Sequence, residues 1–210
     1  METLVFNFNL ITMKTHTDIT IILDCSASME LIKSSTIEGF NSFLRAHKSD
    51  KINARVTLIQ FNQDYKTVFE EKKIKKKRFL NDNNFLPSGS TALHDAIGKT
   101  IDGVNKRIAK YPVCPKVIVA IITDGEENSS ELYSRNMIKK EIGRRIEKDN
   151  WNFMFLGANQ DAIFEGNRLG IPSDYSHTFE ASSEGVNEAF ETSIKFSKRM
   201  LAIDSLEMIN

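Results

Sequence analysis

The sequence predicts an α/β fold: a three-layer α/β/α sandwich around a mainly parallel central sheet with one antiparallel edge strand. Three observations predict it. Short β-branched apolar runs alternate along the chain with longer amphipathic ones, the pattern of βαβ units. Two of the short runs, Ile19 to Leu23 and Val117 to Ile122, are apolar throughout or nearly so, as strands buried on both faces are. Between the runs Arg55 to Phe61 and Tyr65 to Phe69, Asn62-Gln63-Asp64 is turn chemistry, which makes a hairpin and hence the antiparallel edge.

Each element follows in order. Asp18 to Asp24 is the first strand, and Leu31 to His47 the first helix, with Leu31, Ile37, Phe40, Phe43 and Leu44 near one stripe. After the hairpin, Lys72 to Arg78 is a basic run, read as a solvated edge whose lysines discourage sheet-to-sheet pairing rather than as an anion patch. Asn81 to Gly89 is a polar loop. Thr91 to Lys110 is a second helix, with Leu93, Ile97, Ile101, Val104 and Ile108 spaced three and four apart. Tyr111 to Pro115 ends it, because a residue before proline avoids helical geometry. Lys116 to Thr123 is a strand, Ser134 to Asp149 a helix and Trp151 to Gly157 a strand that begins on a core tryptophan. Asp161 to Leu169 is a short helix closed by Gly170 and Pro172, Ser176 to Ala181 a last strand, and Glu184 to about Leu201 a terminal helix. With no internal repeat and no linker, residues 17–210 read as one domain behind an N-terminal extension, residues 1–16.

The chain of 210 residues has the length of one ordinary domain. A hydrophobic share of 40% and a charged share of 27% exclude collagenous, low-complexity and largely disordered classes. Lysine and arginine number 28 against 28 aspartates and glutamates. A dedicated nucleic-acid-binding domain is strongly basic, so that class is set aside. No apolar run nears the ~20 residues of a membrane helix. Met1 to Lys14 carries Glu2, Asn7 and Asn9 without a basic start, unlike a signal peptide. Cys25 and Cys114 make neither a disulfide framework nor a metal-ligand spacing. The expectation is a cytoplasmic protein with no membrane attachment.

In an open α/β sheet, ligands bind in the crevice outside the carboxyl ends of the strands. Asp24-Cys25-Ser26-Ala27-Ser28 follows the first strand, Thr123-Asp124-Gly125-Glu126-Glu127-Asn128 follows the most apolar one, and Ser88-Gly89-Ser90-Thr91 opens the helix between them. These segments offer hydroxyl and carboxylate oxygens with no matching His or Cys. Such a donor set suits a hard octahedral cation, Mg²⁺ or Mn²⁺. Alternate residues of a segment leaving a strand can face one side, so Asp24, Ser26 and Ser28 can share a point. Taken singly, each residue has a plainer use: Ser26, Ser28 or Thr91 as helix caps, Asp95 at the positive end of a helix dipole, Asp124-Gly125 as a turn.

Asp-x-Ser-x-Ser after a first buried strand, Gly-Ser-Thr before a helix and Thr-Asp-Gly after a later strand resemble the von Willebrand factor type A domain, whose fold is Rossmann-like. Together they resemble that family's metal-ion-dependent adhesion site, over roughly Thr17 to Leu201. The resemblance implies that Ser26 and Ser28 bind the ion through their hydroxyls. It implies that Thr91 binds directly or through water, and that Asp24 and Asp124 hold the ion mainly through water. It also implies an open position that a partner's Asp or Glu carboxylate fills, which makes the chain a cation-dependent protein-binding module rather than an enzyme. The chain looks like the small stand-alone intracellular members found in bacteria and mobile elements, which serve as adaptors in multi-protein assemblies.

Other readings compete. Asp24 after a buried strand is placed like the nucleophile of haloacid-dehalogenase-like phosphatases, but Ser26 stands where that family has its second acid. A scaffold with a vestigial site is the third reading. His94, one turn beyond Thr91, is a candidate general base but more readily a packing residue. Glu126 and Glu127 read as a solvated rim, and Cys25 as a small buried residue.

Overall fold

β1 (Thr17–Asp24) is buried at every position, as its unbroken apolar centre requires. The computed structural model describes residues 16–48, 53–73, 80–159 and 161–207, with side chains to residue 202. The expected N-terminal extension thus falls outside the described residues except for His16, as does the basic run beyond Lys73. A short 3-10 helix (Ala27–Ile32) leads from β1 into α1 (Lys33–Lys48). β2 (Ala54–Phe61) and β3 (Tyr65–Lys73) form the hairpin, and α2 (Leu93–Ile108) leads to β4 (Lys116–Thr123). Then come α3 (Arg135–Asp149), β5 (Asn152–Ala158), α4 (Ala162–Leu169), β6 (Ser176–Phe179) and α5 (Ser183–Glu207).

The six strands lie in the order β3-β2-β1-β4-β5-β6. All pairings are parallel except β2 with β3. α1 and α5 cover one face of the sheet around Leu23, Phe40, Phe43 and Phe190. α2, α3 and α4 cover the other around Ile97, Ile121, Ile138 and Phe155. The three-layer α/β/α sandwich with an antiparallel edge is therefore as expected. The strand order reverses at β1, whose neighbours are β2 and β4, so a crevice opens at their carboxyl ends.

Local details differ from the periodicity. Leu31 was expected on the buried stripe, but it lies in the 3-10 helix and is 89% exposed, while Ile32 takes the buried place. A 3-10 turn advances each residue by about 120° rather than 100°, which rotates the stripe by one position. The segment Asn81 to Gly89 is not wholly polar in role, since Phe85 is fully buried. α2 begins at Leu93 and its N-cap position is Ala92, so Thr91 does not cap it. Two caps do form as chemistry dictates: Ser134 accepts from Met137 N and Asp161 from Phe164 N.

Candidate metal centre

At the carboxyl ends of β1 and β4, Asp24 is 0% exposed. Its Oδ1 accepts from the Ser26 backbone N at 2.7 Å, and its Oδ2 accepts from Thr123 Oγ1 at 2.5 Å. Burial is the main influence on this carboxyl and lifts its pKa from 3.8 to about 6, against the opposing hydrogen bonds from Thr123 and Ser26. Ser28 Oγ donates to Asp124 Oδ1 at 2.7 Å and lies 3.2 Å from Ser26 Oγ. Since its single proton points to Asp124, Ser28 accepts from Ser26. Asp124 is half-buried, and burial raises its pKa as well, with the Ser28 hydrogen bond opposing. Neither carboxylate has a lysine or arginine beside it among the described residues. The Ser26 side chain makes no cap bond to the 3-10 helix that follows it, so the hydroxyls serve the carboxylates and not the helix.

Thr91 reaches the same place from the opposite side. A Cβ built on Gly125 would stand 3.0 Å from Thr91 Oγ1 and 3.8 Å from Asp24 Oδ2. Only a residue without a side chain leaves that space open. The backbone of Thr91 is clamped by Asn128, whose Oδ1 accepts from Thr91 N at 2.9 Å and whose N donates to Thr91 O at 3.0 Å. The loop before it is held by the hairpin turn: Asn62 Nδ2 donates to Ser88 O at 2.8 Å, and Ser90 N donates to Gln63 Oε1 at 3.1 Å. Gly89 sits there at φ +77°, in the left-handed region. Ser88 N donates to Cys25 O and Ala27 N to Gly89 O, which ties this loop to the segment after β1. The five predicted residues thus converge on one crevice, buried at Asp24, Ser26 and Thr91 and open to solvent at Ser28.

Sequence reasoning missed the residues that hold this crevice. Glu127 is not a solvated rim. Its Oε2 accepts from His94 N at 2.8 Å and from Ser130 Oγ at 2.8 Å, and its Oε1 accepts from Ser130 N at 2.7 Å. Burial pushes its pKa up, but these donors outweigh it and hold it below the usual range. His94 is packed against Glu127, with Nδ1 3.6 Å from Oε2. Burial keeps the imidazole below its usual 6.5 despite that neighbour, so at neutral pH it is uncharged. Asp95 does more than face a helix dipole: it accepts from Leu132 N, Tyr133 N and Glu131 N at 2.9, 2.8 and 3.2 Å. Asp95 and Glu127 therefore shape the β4–α3 loop, which carries Asp124 and Asn128. Glu126 is exposed, Cys25 is buried and Trp151 lies in the core, as expected of each.

One other group of potential ligands lies at the amino end of β1. His16, Asp18 and Glu71 offer ligand atoms within 4.8 Å of one another. Both oxygens of Asp18 are already taken by Arg107, from Nε at 2.7 Å and from Nη2 at 2.8 Å. Glu71 accepts from Tyr111 Oη at 2.5 Å, with Arg55 3.6 Å away. Guanidinium groups already neutralise these carboxylates, so the group is an ion-pair network that does not suit an added cation.

The fold is an α/β sandwich with hydroxyls and carboxylates gathered at the strand-order reversal. The model of the von Willebrand factor type A domain matches residues 18–192, and the chain belongs to that family. The solved structures it resembles share the fold. Proximal thread matrix protein 1 from the mussel byssus, with a zinc-occupied MIDAS motif, aligns with a TM-score of 0.63 at 15% identity, over 86% of this chain and 48% of that one. The pilus adhesin SpaC of Lactobacillus rhamnosus GG gives 0.60 at 14% identity, over 87% of this chain and 30% of that one. Manganese-loaded TRAP protein of Plasmodium vivax gives 0.50 at 16% identity, over 74% of this chain and 62% of that one. The chain spans about half the length of the mussel protein and less of the adhesin. No curated protein sequence matches it. No helix among the described residues is long and apolar enough to cross a membrane.

Proposed function

We propose that this chain is a divalent-cation-dependent protein-binding module. In this reading Ser26, Ser28 and Thr91 offer hydroxyl ligands, and Asp24 and Asp124 supply negative charge around a Mg²⁺ or Mn²⁺ ion. One observation carries it: Asp24 is a fully buried carboxylate facing a second carboxylate, with only neutral donors on it. Burying such a charge without a counter-charge is unfavourable by several kcal/mol, and a cation in the crevice supplies that counter-charge. The all-oxygen donor set fits Mg²⁺ or Mn²⁺ better than softer metals. The zinc-occupied MIDAS of the mussel protein and the manganese-loaded TRAP protein support a divalent ion in this fold.

A cation held by three hydroxyls and few carboxylates stays electrophilic toward solvent, where Ser28 leaves the crevice open. A partner's Asp or Glu carboxylate completes its coordination, and such a contact in a partly desolvated crevice is several-fold stronger than in water. The module then works as an adaptor within a larger assembly, in a reducing cytoplasmic setting that suits its unpaired cysteines.

Calorimetric titration with MgCl₂ and MnCl₂ tests the cation site. The wild type gives heat in the micromolar-to-millimolar range, and Asp24→Ala gives none. Equal heats from both proteins, or none from the wild type, refute the assignment. Affinity capture with and without Mg²⁺, read by mass spectrometry, then identifies the partner. Turnover of a generic phosphate ester that Asp24→Asn abolishes would instead establish a hydrolase.

A further inference from the structure

Seven large apolar side chains are exposed among the described residues, and six of them stand at the carboxyl end of the sheet. Leu31 is on the 3-10 helix after β1 and Leu86 in the segment before α2. Leu132 is in the β4–α3 loop, Met137 in the first turn of α3, and Ile163 and Phe164 in the first turn of α4. The seventh, Val113, is at the opposite end, just before β4. Single exposed leucines are ordinary. Six of the seven stand on segments at the end of the sheet that carries the crevice, which leaves apolar side chains there for a protein partner to cover.

Beside the crevice this face has a pocket. A cavity of about 170 Å³ opens between Cys25 and Leu86, with Phe61 at the end of β2 and Asn62 in the turn after it alongside. A cavity of about 150 Å³ with apolar walls is enough for one benzene, so this one takes a single large aliphatic or aromatic side chain. Gln60, Asn84, Asp64 and Lys66 also line it, the last two with opposite charges, so no net charge sets its preference. The pocket adjoins the candidate cation site through the chain itself. Cys25 lies between Asp24 and Ser26, and its carbonyl accepts from Ser88 N at 2.8 Å in the loop that leads to Thr91. A carboxylate at the crevice and an apolar side chain in the pocket can therefore come from neighbouring residues of one segment. Interfaces commonly concentrate their energy in such a buried anchor beside a polar contact.

We propose that the partner presents its acidic residue beside a large apolar residue, whose side chain seats between Cys25 and Leu86. The proposal rests on reading the five crevice residues as a cation site. The probe is a set of fluorescent nonapeptides with a central Glu in a Gly/Ser background. Leu, Met or Phe is placed in turn at each of the three positions on either side. Binding is read by fluorescence polarisation in Mg²⁺ and in EDTA. One offset binds about tenfold or more tighter than the all-Gly/Ser peptide, the worth of burying one such side chain, and only in Mg²⁺. Leu86→Asp, a change at a residue 61% exposed whose thermal melt matches the wild type, erases that preference. Val113→Asp, at the far end, leaves it intact.

Equal Mg²⁺-dependent binding of every peptide overturns the pocket's role and leaves the cation site standing. Binding that is unchanged in EDTA and in Asp24→Asn overturns the cation site as well. Binding of no peptide overturns the proposal. So does self-association in sedimentation velocity that Leu86→Asp removes, because the face would then bind a second copy of the chain.

Discussion

Replacing Asp24 with asparagine should stabilise the metal-free protein and abolish the stabilisation that Mg²⁺ gives the wild type. In the metal-free protein the carboxyl is 0% exposed and has only neutral donors, so its ionised form is disfavoured. A pKa raised from 3.8 to about 6, at about 1.36 kcal/mol per pH unit, makes the ionised carboxylate unfavourable by about 3 kcal/mol in the folded state above pH 6. The sign follows from proton linkage. The folded protein holds the proton more tightly than the unfolded chain, so this contribution is fully present below pH 3.8 and is lost as pH rises through about 6. Asp24→Asn removes the ionisable group while keeping its shape. Asn Oδ1 still accepts from Ser26 N, and the Thr123 hydroxyl turns to accept from Nδ2. The metal-free variant should therefore be more stable than wild type at pH 7.5, by up to about 3 kcal/mol.

The assay is thermal and urea unfolding of both proteins at pH 5 and 7.5, each in EDTA and in 10 mM Mg²⁺, a concentration of about the order such weak sites need. In a chain of this size 1 kcal/mol shifts Tm by about 2–4 °C. The variant in EDTA at pH 7.5 should thus melt several degrees above wild type, with the difference shrinking at pH 5. Mg²⁺ should raise the wild type by about 1–3 kcal/mol at 10–100 times its dissociation constant and leave the variant unmoved. A variant that is less stable than wild type in EDTA, or that gains as much from Mg²⁺, refutes the argument that Asp24 is a charge awaiting a cation.

Three further outcomes are expected. Thr91→Ala removes the hydroxyl beside Gly125 but little core, so Mg²⁺ heats and partner capture should fall sharply while the urea midpoint shifts by less than about 1 kcal/mol equivalent; a large midpoint shift with intact Mg²⁺ heats contradicts this. Gly89→Ala puts a Cβ 1.8 Å from Gln63 Oε1 at a φ of +77°, which should be destabilising by about 1–3 kcal/mol and weaken Mg²⁺ binding, and calorimetry beside unfolding curves measures both. For Asp95, burial raises the carboxyl pKa but the N–H groups of Tyr133, Glu131 and Leu132 hold it below 3.8. Its contribution is complete above pH 3.8 and is lost as pH falls through the lower folded value, so Asp95→Asn should flatten the acid limb of the stability profile and leave the neutral region's slope alone.

The layers of the fold were legible because periodicity reports burial directly. β1 and β4 are apolar because both faces are covered, and α2 shows its stripe because one face meets the sheet. The five crevice residues were legible because each lies just past a recognisable element. Leu31 was misplaced because a 3-10 turn and an α-helix share a composition and differ only in hydrogen bonding. The hold that Asn62, Gln63 and Gly89 exert on the Thr91 loop left no signal, since Gln63 and Ser90 stand 27 positions apart in sequence and meet through one hydrogen bond. Glu127 and Asp95 were hidden for a related reason. A carboxylate that accepts three backbone N–H groups has the same letter as one in water, and only the folded path of the β4–α3 loop distinguishes them.

β1 itself contains the comparison that bears most on function. It carries an aspartate at each end, Asp18 1% exposed and Asp24 0% exposed, in a strand that is otherwise neutral. At the amino end α2 delivers Arg107, which meets both oxygens of Asp18 and also donates to Thr20 Oγ1 at 2.8 Å. Burial alone would pull the guanidinium's pKa down, but Asp18 and Glu70 hold it above its usual value, so that charge is matched within the chain. At the carboxyl end the loop just before the same helix delivers Thr91, a hydroxyl. The β4–α3 loop adds Asp124, a second negative group, and Gly125, which leaves space. One buried carboxylate is thus neutralised by a neighbour, while the other has only neutral N–H and O–H donors on it and a second carboxylate nearby. The chain tolerates the second arrangement at some loss of stability, and the cation proposed for this crevice would supply the missing counter-charge.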